Sequence, residues 1–293
     1  MHVWSKLSSP KWSDAWEERF SGSPHLSLVI TEVPGRKTTR VEVFCERKKD
    51  ALEIHKNFGG SVREVKKQNW AALAPEPPEP IRVRDRLVIV AARSAKEIAA
   101  VQKEFPGRDI IAMPADLAFG TGHHATTSTV LRFLADAAER WQKEGRAWTL
   151  CDLGCGTGIL GIAAEKLGAK KVWGCDFDPQ AVRVAKENIT RNHAERCSFV
   201  KADVLTWNPK QQWDCVAANI FYDILTDAFP TIVRAMKPDG IVFVSGILKE
   251  QAQGCLDAGR RAGLEFDQVV TKGKWVTARG RLVAGDSKRS KRP

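Results

Sequence analysis

Hydrophobic and polar positions change their spacing along the chain, and the changes mark predicted helices and strands. Before residue 70, apolar stretches are separated by turn-forming residues such as Pro34-Gly35 and Gly59-Gly60. The predicted strands in this part are 26–32, 41–45 and 62–66, and the predicted helices are 12–20 and 50–58, with Asp50 as the cap of the second helix. Elements of this size predict a small α+β fold.

A proline-rich stretch from Ala74 to Pro80 divides the chain, because proline fits neither a helix interior nor a sheet interior. We expect a small α+β domain at 1–70, a linker at 71–85, a larger domain at 86–285 and a basic, disordered tail at 286–293. The first domain has no cluster of catalytic residues, so we expect it to recognise a substrate. A purely structural lid is the alternative.

After the linker, strand-like and helix-like stretches alternate, which is typical of a parallel sheet with helices on both faces. The predicted strands are 86–91, 148–152, one ending at 176, 198–201, 215–219 and 241–245. The predicted helices are 95–104, 127–143, one beginning at 159, 179–191, 223–236 and 249–262. Ser94 and Asp178 are expected to cap two of these helices.

The chain pattern changes once more at 264–284. Two strand-like stretches, 264–271 and 275–284, flank Lys272-Gly273-Lys274 and predict a hairpin without a crossover helix. The predicted fold class is therefore α/β, with a Rossmann-like, mostly parallel sheet that ends in an antiparallel hairpin strand.

The segment from Asp152 to Gly158, DLGCGTG, joins a predicted strand to a predicted helix. Gly154, Gly156 and Gly158 let the backbone turn sharply and approach a ligand, and the following helix directs its N–H groups at the same space. Asp176 ends the next strand 22 residues after Gly154, where a carboxylate can accept hydrogen bonds from ribose hydroxyls. These features predict a site for a nucleoside-containing cofactor.

Two cofactors fit this loop, because Gly156 to Gly161 also matches the GxGxxG pattern of NAD-binding proteins. The first glycine after the strand is Gly154, however, and counted from there the pattern fails at Ile159. Asp152 favours a nearby ammonium group over a pyrophosphate. The loop therefore favours S-adenosylmethionine, with NAD as the alternative. The hairpin ending agrees, because it looks like the class I methyltransferase fold and is absent from NAD-binding Rossmann domains.

Polar residues also follow the later strands, at the sheet edge where ligands bind. Asp203 is placed to accept a hydrogen bond from the adenine amino group, or to cap the segment that follows it. Asn219 opens Asn219-Ile220-Phe221-Tyr222, which resembles the Asn/Asp-Pro-Pro-Tyr/Phe motif of enzymes that methylate amines, without its prolines. Asn219 and Tyr222 are thus candidates for orienting an amine, and a helix cap is the alternative role of Asn219.

The segment 117–127, LAFGTGHHATT, is a glycine-containing loop before a predicted helix. Phe119, Thr121 and Thr127 are candidate cofactor-binding residues there, since the hydroxyls can reach a cofactor carboxylate. The adjacent His123 and His124 point in different directions and have no clear third partner, so we expect no metal site. His124 is the better candidate for a general base.

Composition adds bounds on location and partners. Of 293 residues 43% are hydrophobic, with no membrane-spanning run and no secretory signal, so a cytoplasmic protein is expected. Seven scattered cysteines without a CxxC pair predict buried, reduced thiols. The net charge of +11 indicates an acidic partner such as RNA. Four cations lie in the tail, for which a solvated end is the alternative.

Five segments together resemble the ribosomal protein L11 methyltransferase family (PrmA) over residues 69–275: LAFGTGHHATT, DLGCGTGILGIAA, GCDFDPQAVRVAKEN, AANIFYDIL and VSGILKEQ. The resemblance implies a class I catalytic domain and an N-terminal domain that docks the substrate. It also implies that Thr127, Gly154, Asp176 and Asn219 bind S-adenosylmethionine. The chain departs from the family pattern around His123 and Ala125 and after Asn219, and residues 1–68 show no resemblance.

The expected function is methyl transfer from S-adenosylmethionine to protein amines by a monomer. The expected acceptors are lysine side chains or the N-terminal amine of a ribosomal protein, with electrostatic contact to ribosomal RNA. Only a neutral amine attacks, so its proton must pass to water or to a base such as His124. RNA N-methylation and a non-catalytic module that binds S-adenosylmethionine or the ribosome are the alternatives.

Overall fold

The computed structural model describes residues 2–13, 16, 20, 26–33, 38–45, 47–64, 79–92, 94–113, 122 and 124–283. The chain divides into two units, Met1–Pro77 and Pro78–Pro293. Among the helices in these described ranges, none is long and apolar enough to cross a membrane.

The first unit is an antiparallel sheet with a helix on one face. Its elements are β1 His2–Ser8, β2 Leu26–Glu32, β3 Thr39–Cys45, α1 Lys48–Phe58 and β4 Ser61–Glu64, and the strand order is β2-β3-β1-β4. Because side chains alternate along a strand, Trp4, Val41 and Val43 are buried in the core. Leu7 and Val29 lie on the opposite face and are 47% and 42% exposed, although Val3 on that face is completely buried.

The central strand β1 was not predicted, because Ser5, Lys6 and Ser8 interrupt its apolar pattern. It is stabilised instead by pairing with β3 on one side and β4 on the other.

Helix α1 begins two residues earlier than predicted. Asp50 lies in its first turn rather than at its cap, and its carboxylate pairs with Arg47 at 2.9 Å. Within the predicted helix 12–20 the structure describes only residues 12, 13, 16 and 20, and Trp12 ends a short 3₁₀ helix that begins at Pro10. The turn at Pro34-Gly35 and most of the predicted linker lie outside the described residues.

The second unit begins with a small sheet of its own. Strand β5 Ile81–Val83 is antiparallel to β6 Leu87–Val90, β6 is parallel to β7 Asp109–Ala112, and α2 Ala95–Glu104 connects β6 to β7. Ser94 caps α2 as predicted, in a reciprocal pair with Glu97. Because β5 pairs with β6, regular structure begins inside the range that was predicted as linker.

The central sheet of the second unit has the strand order β10-β9-β8-β11-β12-β14-β13. The strands are β8 Thr149–Leu153, β9 Lys171–Asp176, β10 Cys197–Lys201, β11 Trp213–Asn219, β12 Met236–Leu248, β13 Leu264–Lys272 and β14 Trp275–Leu282. Strands β8 to β12 are parallel, and β14 is antiparallel to both β12 and β13. The predicted sheet with its terminal hairpin is confirmed.

Helices cover both faces of this sheet, as predicted. They are α3 Ala125–Lys143, α4 Ile159–Lys166, α5 Pro179–Asn192, α6 Tyr222–Ala235 and α7 Ala252–Arg261. One core lies under α3, α4 and α5, and a second lies under α6 and α7. Asp178 caps α5 as predicted, by accepting a hydrogen bond from the Gln180 N–H at 2.8 Å.

All seven cysteines are buried, unpaired thiols, as predicted. Burial raises the pKa of Cys255 to about 12, and burial with the nearby charge of Asp50 raises the pKa of Cys45 to about 11. These thiols therefore stay protonated near neutral pH, which makes them poor nucleophiles.

A buried carboxylate joins the amino ends of β8, β11 and β12. Asp214 accepts hydrogen bonds from the Thr149 N–H and hydroxyl at 3.0 and 2.8 Å, and pairs with Arg146 and Lys237 at 3.0 and 2.9 Å. Burial opposes ionisation, but hydrogen bonds from Lys237, Thr149 and Arg146 outweigh it and lower the pKa of Asp214. A carboxyl group whose pKa is lower in the folded protein stabilises the fold at pH values above its unfolded pKa of ~3.9. This stabilisation is lost as the pH falls through the folded pKa.

The substitution Asp214→Asn is therefore expected to lower the free energy of unfolding at pH 7 by about 1–3 kcal/mol, since Arg146 and Lys237 lose their charged partner. Urea unfolding of both proteins between pH 7 and pH 3 should show the difference narrowing, because the wild-type carboxylate becomes protonated. Asp257→Asn, which removes an exposed carboxylate on α7, is the control and should leave the midpoint nearly unchanged. If the loss in free energy of unfolding of Asp214→Asn were the same at every pH, the ionised carboxylate would not be its cause.

Candidate functional site

The carboxyl ends of β8 and β11 border a crevice at the point where the strand order reverses. From β8 the chain builds β9 and β10 on one side, and then crosses to β11 and β12 on the other. The connections after β8 and β11 therefore leave in opposite directions, and ligands of parallel sheets bind in the space between them. The glycine loop follows β8 and Asn219 ends β11 at this place.

The glycine loop is fixed by contacts with the neighbouring strand ends. The N–H groups of Gly154 and Cys155 donate to the Cys175 carbonyl at 2.8 and 2.9 Å. Gly154 has a φ of +73°, and a Cβ here would overlap the side chain of Ile220. A Cβ at Gly246 of β12 would overlap the backbone of Ile220 as well. Ile220 is thus seated between two glycines, which fixes the segment after β11 against the loop.

Asp176 also orders the loop through its carboxylate. One oxygen accepts from the Gly156 N–H and the other from the Asp178 N–H, both at 3.0 Å. The contact with Gly156 was not predicted from the sequence. Each carboxylate oxygen has a further lone pair, so the half-buried group can accept hydroxyl hydrogen bonds as well. The assignment of Asp176 to a ribose stays a prediction.

Asp152 is a buried carboxylate below the loop, and neither of its oxygens has a hydrogen-bond partner among the described residues. Burial, together with the negative charge of Asp176, raises the pKa of Asp152 to about 7. The backbone N–H of Gly161 partly opposes this rise, because it favours the ionised Asp152 carboxylate, but it does not form a hydrogen bond with it. A buried, unpartnered carboxylate is costly, so the feature fits a positively charged ligand such as an ammonium group.

Asn219 reaches the first turn of α3. Its Nδ2 donates to Thr127 Oγ1 at 3.3 Å, while its Oδ1 is buried and has no partner among the described residues. Asp152 is in register with Ala217, and alternation along β11 then places Asn219 on the same face as Asp152. The structure thus places Asn219 in contact with Thr127 and puts Asp152 on the same face of the sheet as Asn219.

The alternative role of Asn219 as a helix cap is wrong. Helix α6 begins at Tyr222, one residue before the predicted start, and its N-cap is Phe221. Helix α3 begins at Ala125, two residues before the predicted start, so Thr127 lies inside its first turn.

His124 precedes α3 and packs against the terminal hairpin. Its Nδ1 lies 2.7 Å from Thr126 Oγ1, and its ring meets the Trp275 ring edge-on with centroids 4.9 Å apart. Burial lowers the pKa of His124, and the positive charge of Lys274 lowers it further. The imidazole is therefore neutral near pH 7, as a base must be. Its predicted role as a base stays a prediction.

Tyr222 is not brought together with these residues. Its ring packs against the core under α6 and α7. Its hydroxyl lies beside α7, since a Cβ on Gly254 would be 3.2 Å from it. Asn219 lies on the opposite face of the sheet, so a role for Tyr222 in orienting an amine beside Asn219 has no support in this geometry.

Asp203 is exposed after β10, and its Oδ1 accepts from the Leu205 N–H at 2.9 Å. This contact fits the local capping role, and contact with adenine stays a prediction. Phe119, Thr121 and His123 lie outside the described residues. Where the chain is described, no group of three or more histidine, cysteine or acidic residues could hold a metal ion.

Two exposed aromatic residues at the strand ends were not singled out from the sequence. Phe177 directly follows Asp176 and is 76% exposed, and Phe221 lies two residues after Asn219 and is 72% exposed. An aromatic residue close behind a polar strand end was the signal that could have identified them.

Comparison with known proteins gives one consistent family. The family model described as ribosomal protein L11 methyltransferase (PrmA) matches residues 3–282. The chain is similar to the ribosomal protein L11 methyltransferase of Listeria monocytogenes serotype 4b, with 34% identity over 226 residues, 75% of this chain and 67% of that protein. It is also similar to the protein of the same name from Acetivibrio thermocellus, with 35% identity over 225 residues, 77% of this chain and 67% of that protein.

Among solved structures, the chain is similar to the crystal structure of ribosomal protein L11 methylase from Lactobacillus delbrueckii subsp. bulgaricus. The TM-score is 0.57 at 27% identity, and the match covers 70% of this chain and all of that one. The family match begins at residue 3, so the expectation that residues 1–68 show no resemblance is wrong. That part lacks the ligand-contacting motifs by which short segments can be recognised.

The buried charge at Asp152 gives a test of cofactor binding. Wild-type affinity for S-adenosylmethionine should rise as the pH increases through about 7, because the carboxylate then ionises. Asp152→Asn should abolish this rise and weaken binding at pH 8 about ten- to hundredfold, the cost of losing a charged hydrogen-bond partner. Titration calorimetry at pH 6 and pH 8 measures both effects.

The same variant provides its own control for folding. Without cofactor, Asp152→Asn should raise the thermal midpoint at pH 8, since it removes a buried, unpaired charge. A variant that keeps the wild-type pH dependence of binding would show that Asp152 does not face the ammonium group.

Proposed function

Because the chain belongs to the ribosomal protein L11 methyltransferase family, we propose that it methylates amines of ribosomal protein L11, with lysine side chains as the main acceptors. It is an S-adenosylmethionine-dependent protein methyltransferase with the class I fold, and S-adenosylmethionine is its cofactor. The identity of the substrate protein and of the acceptor amine is the proposed part.

The observation that supports the proposal is the placement of Asn219 against Thr127 with Asp152 on the same face of the sheet. Asp152 and Asn219 each present buried oxygens without a partner among the described residues. Such oxygens accept hydrogen bonds from N–H groups. The cofactor's ammonium group suits Asp152, an acceptor amine suits Asn219, and the ribose suits Asp176 beside the glycine loop. Phe119 and Thr121 are proposed cofactor contacts on sequence grounds alone.

Positioning accounts for most of the proposed catalysis. S-adenosylmethionine supplies a methyl group on a sulfonium, which is already a good electrophile, and correct placement of two reactants can lower a barrier by ~7–11 kcal/mol. Asn219 Oδ1 accepts an N–H of the acceptor amine and so directs the nitrogen lone pair toward the methyl group. Ile220, seated against Gly154 and Gly246, keeps this oxygen in place.

The acceptor must lose a proton before it attacks, because an ordinary lysine amine has a pKa of ~10.4. Water can take this proton. His124, whose pKa is lowered by burial and by Lys274, is the proposed base from the protein.

The first unit is the proposed docking surface for the substrate protein. Among the described residues, α1 packs on one face of its sheet, and Leu7 and Val29 are exposed on the other. Arg40 and Glu42 are their register partners on the same face. Because β3 lies between β2 and β1, the charged pair separates the two apolar side chains, and such a mixed face suits contact with another protein.

Contact with ribosomal RNA is a second proposal, favoured by a basic groove in the second unit. The groove has a volume of about 920 Å³ and is lined by Arg82, Arg84, Asp85, Arg86, Arg108, Glu139, Gln142 and Lys143. Arginine suits phosphate oxygens. Arg84 and Arg108 already pair with carboxylates, so the groove suits a weak, salt-sensitive contact.

Radiolabelled S-adenosylmethionine, purified ribosomal protein L11 and intact ribosomes test these proposals. Label should enter the ribosomal protein, and acid hydrolysis should release methylated lysine. Label that enters RNA and is removed by RNase would support RNA methylation instead. No transfer despite tight cofactor binding would favour the non-catalytic module.

Asn219→Ala is expected to lower kcat about ten- to a thousandfold, the range for removing a positioned polar contact to a transition state. The thermal midpoint should change little, since Asn219 caps no helix and makes a single hydrogen bond of 3.3 Å with its side chain among the described residues. Asn208→Ala, at an exposed position after β10, is the matched control. Nearly wild-type turnover in the Asn219 variant would remove it from the mechanism.

Replacing Leu7 and Val29 together with Ser should raise KM for the intact ribosomal protein about tenfold or more, because the docking surface loses its exposed apolar side chains. KM for a short lysine peptide and kcat should stay unchanged, since a short peptide lacks the protein surface that would dock on the first unit. Steady-state kinetics with both substrates makes the comparison, and an equal rise of both KM values would refute a docking role for this face.

A further inference from the structure

Phe221 stands out as a large apolar side chain held in the open beside the site. It is 72% exposed, whereas nearby Leu225, Phe229 and Ile232 of α6 are almost completely buried. Exposure of a phenylalanine ring to water is unfavourable. A single exposed apolar residue is common on protein surfaces, but Phe221 lies two residues after Asn219, at the carboxyl end of β11 where ligands of parallel sheets bind.

The backbone that carries Phe221 is fixed on both sides. Before it, Ile220 is seated against Gly154 and Gly246, and Asn219 is hydrogen-bonded to Thr127. After it, the Phe221 carbonyl accepts the first hydrogen bond of α6, from the Leu225 N–H at 2.9 Å. The ring is therefore attached to a fixed point two residues from the Asn219 carboxamide.

The two neighbouring aromatic residues Phe221 and Tyr222 have different surroundings. The Tyr222 ring packs into the core under α6 and its hydroxyl lies beside Gly254. Tyr222 is therefore half-buried, whereas the neighbouring Phe221 ring is 72% exposed. The amine-orienting role expected of Tyr222 in the Asn-x-x-Tyr frame thus has a candidate one residue earlier.

We propose that Phe221 is a positioning residue for the acceptor lysine, and that its ring holds the lysine methylene chain and the methylated ammonium product. This inference rests on the proposed function of the site as a protein-lysine methyltransferase. A methylene chain packs well on an aromatic face, and methylated ammonium groups bind to aromatic rings through cation–π attraction.

The proposal has a consequence for repeated methylation. In each transfer the nitrogen lone pair forms the new N–C bond, the S–CH₃ bond breaks and its electron pair stays on sulfur. The ammonium product must then lose a proton to water before it can accept another methyl group. A ring that retains this cation while the spent cofactor is exchanged favours di- and trimethylation over release of monomethyl-lysine.

The test compares Phe221→Leu, which keeps an apolar side chain, with Phe221→Tyr, which keeps the ring. For ribosomal protein L11, Phe221→Leu should raise KM about three- to thirtyfold, the effect of losing a partly desolvated cation–π contact. Mass spectrometry of the product, sampled before the reaction is complete, should show a shift toward monomethyl-lysine. Phe221→Tyr should retain the wild-type KM and methylation pattern.

Two further measurements separate this role from a structural one. The dissociation constant for S-adenosylmethionine and the thermal midpoint should be the same in all three proteins, because the ring is exposed and lies outside the proposed cofactor contacts. Val269→Ser, at an exposed apolar position on the edge strand β13, is the control and should change no kinetic value.

The outcomes distinguish failure of this inference from failure of the proposed function. Wild-type methylation of lysine, with unchanged KM and methylation pattern in Phe221→Leu, overturns the role of Phe221 alone. A wild-type enzyme that methylates no lysine overturns both. An altered cofactor affinity in Phe221→Leu would assign the ring to the cofactor instead and also overturn the proposal.

Discussion

The parallel pairing of β8 with β11 is the contact on which the site depends. Between these strands the chain builds β9 and β10 on the far side of β8, so the crevice between their carboxyl ends is left open. The register of this pair sets Ala217 beside Asp152 and thereby puts Asn219 on the Asp152 face. A slip by one residue would turn Asn219 to the opposite face, under α6.

Two buried aspartates at opposite ends of this sheet show how the same chemical group can serve stability or binding. Asp214 is surrounded by donors at the amino ends of the strands, so its charge is compensated and its pKa is lowered. Asp152 lies at the carboxyl ends without a partner among the described residues, and its pKa is raised. Hydrogen bonds and ion pairs thus stabilise the amino ends of the strands. The carboxyl ends, where the ligand is proposed to bind, keep an uncompensated charge.

Features determined by neighbouring residues could be predicted from the sequence. They include the glycine loop, the caps Ser94 and Asp178, and the terminal hairpin, because each depends on short-range geometry. Strand β1 was missed, because its pairing partners are distant in sequence. The exchange between Tyr222 and Phe221 has a similar origin. Because α6 begins at Tyr222, this residue lies three positions before the buried Leu225 and on the same helix face, whereas Phe221 is the N-cap outside the helix.

The position of β14 has a consequence for how the molecule folds. Because β14 lies between β12 and β13, the edge of β12 stays unpaired until the β13–β14 hairpin docks against it. The hairpin has local contacts and can form early, whereas its docking joins residues such as Phe243 and Arg279 that are distant in sequence. A folding intermediate with an open β12 edge, apolar at Ile241 to Val244, would be the species most exposed to intermolecular strand pairing. Aggregation during refolding should therefore originate at this edge of the sheet, away from the crevice.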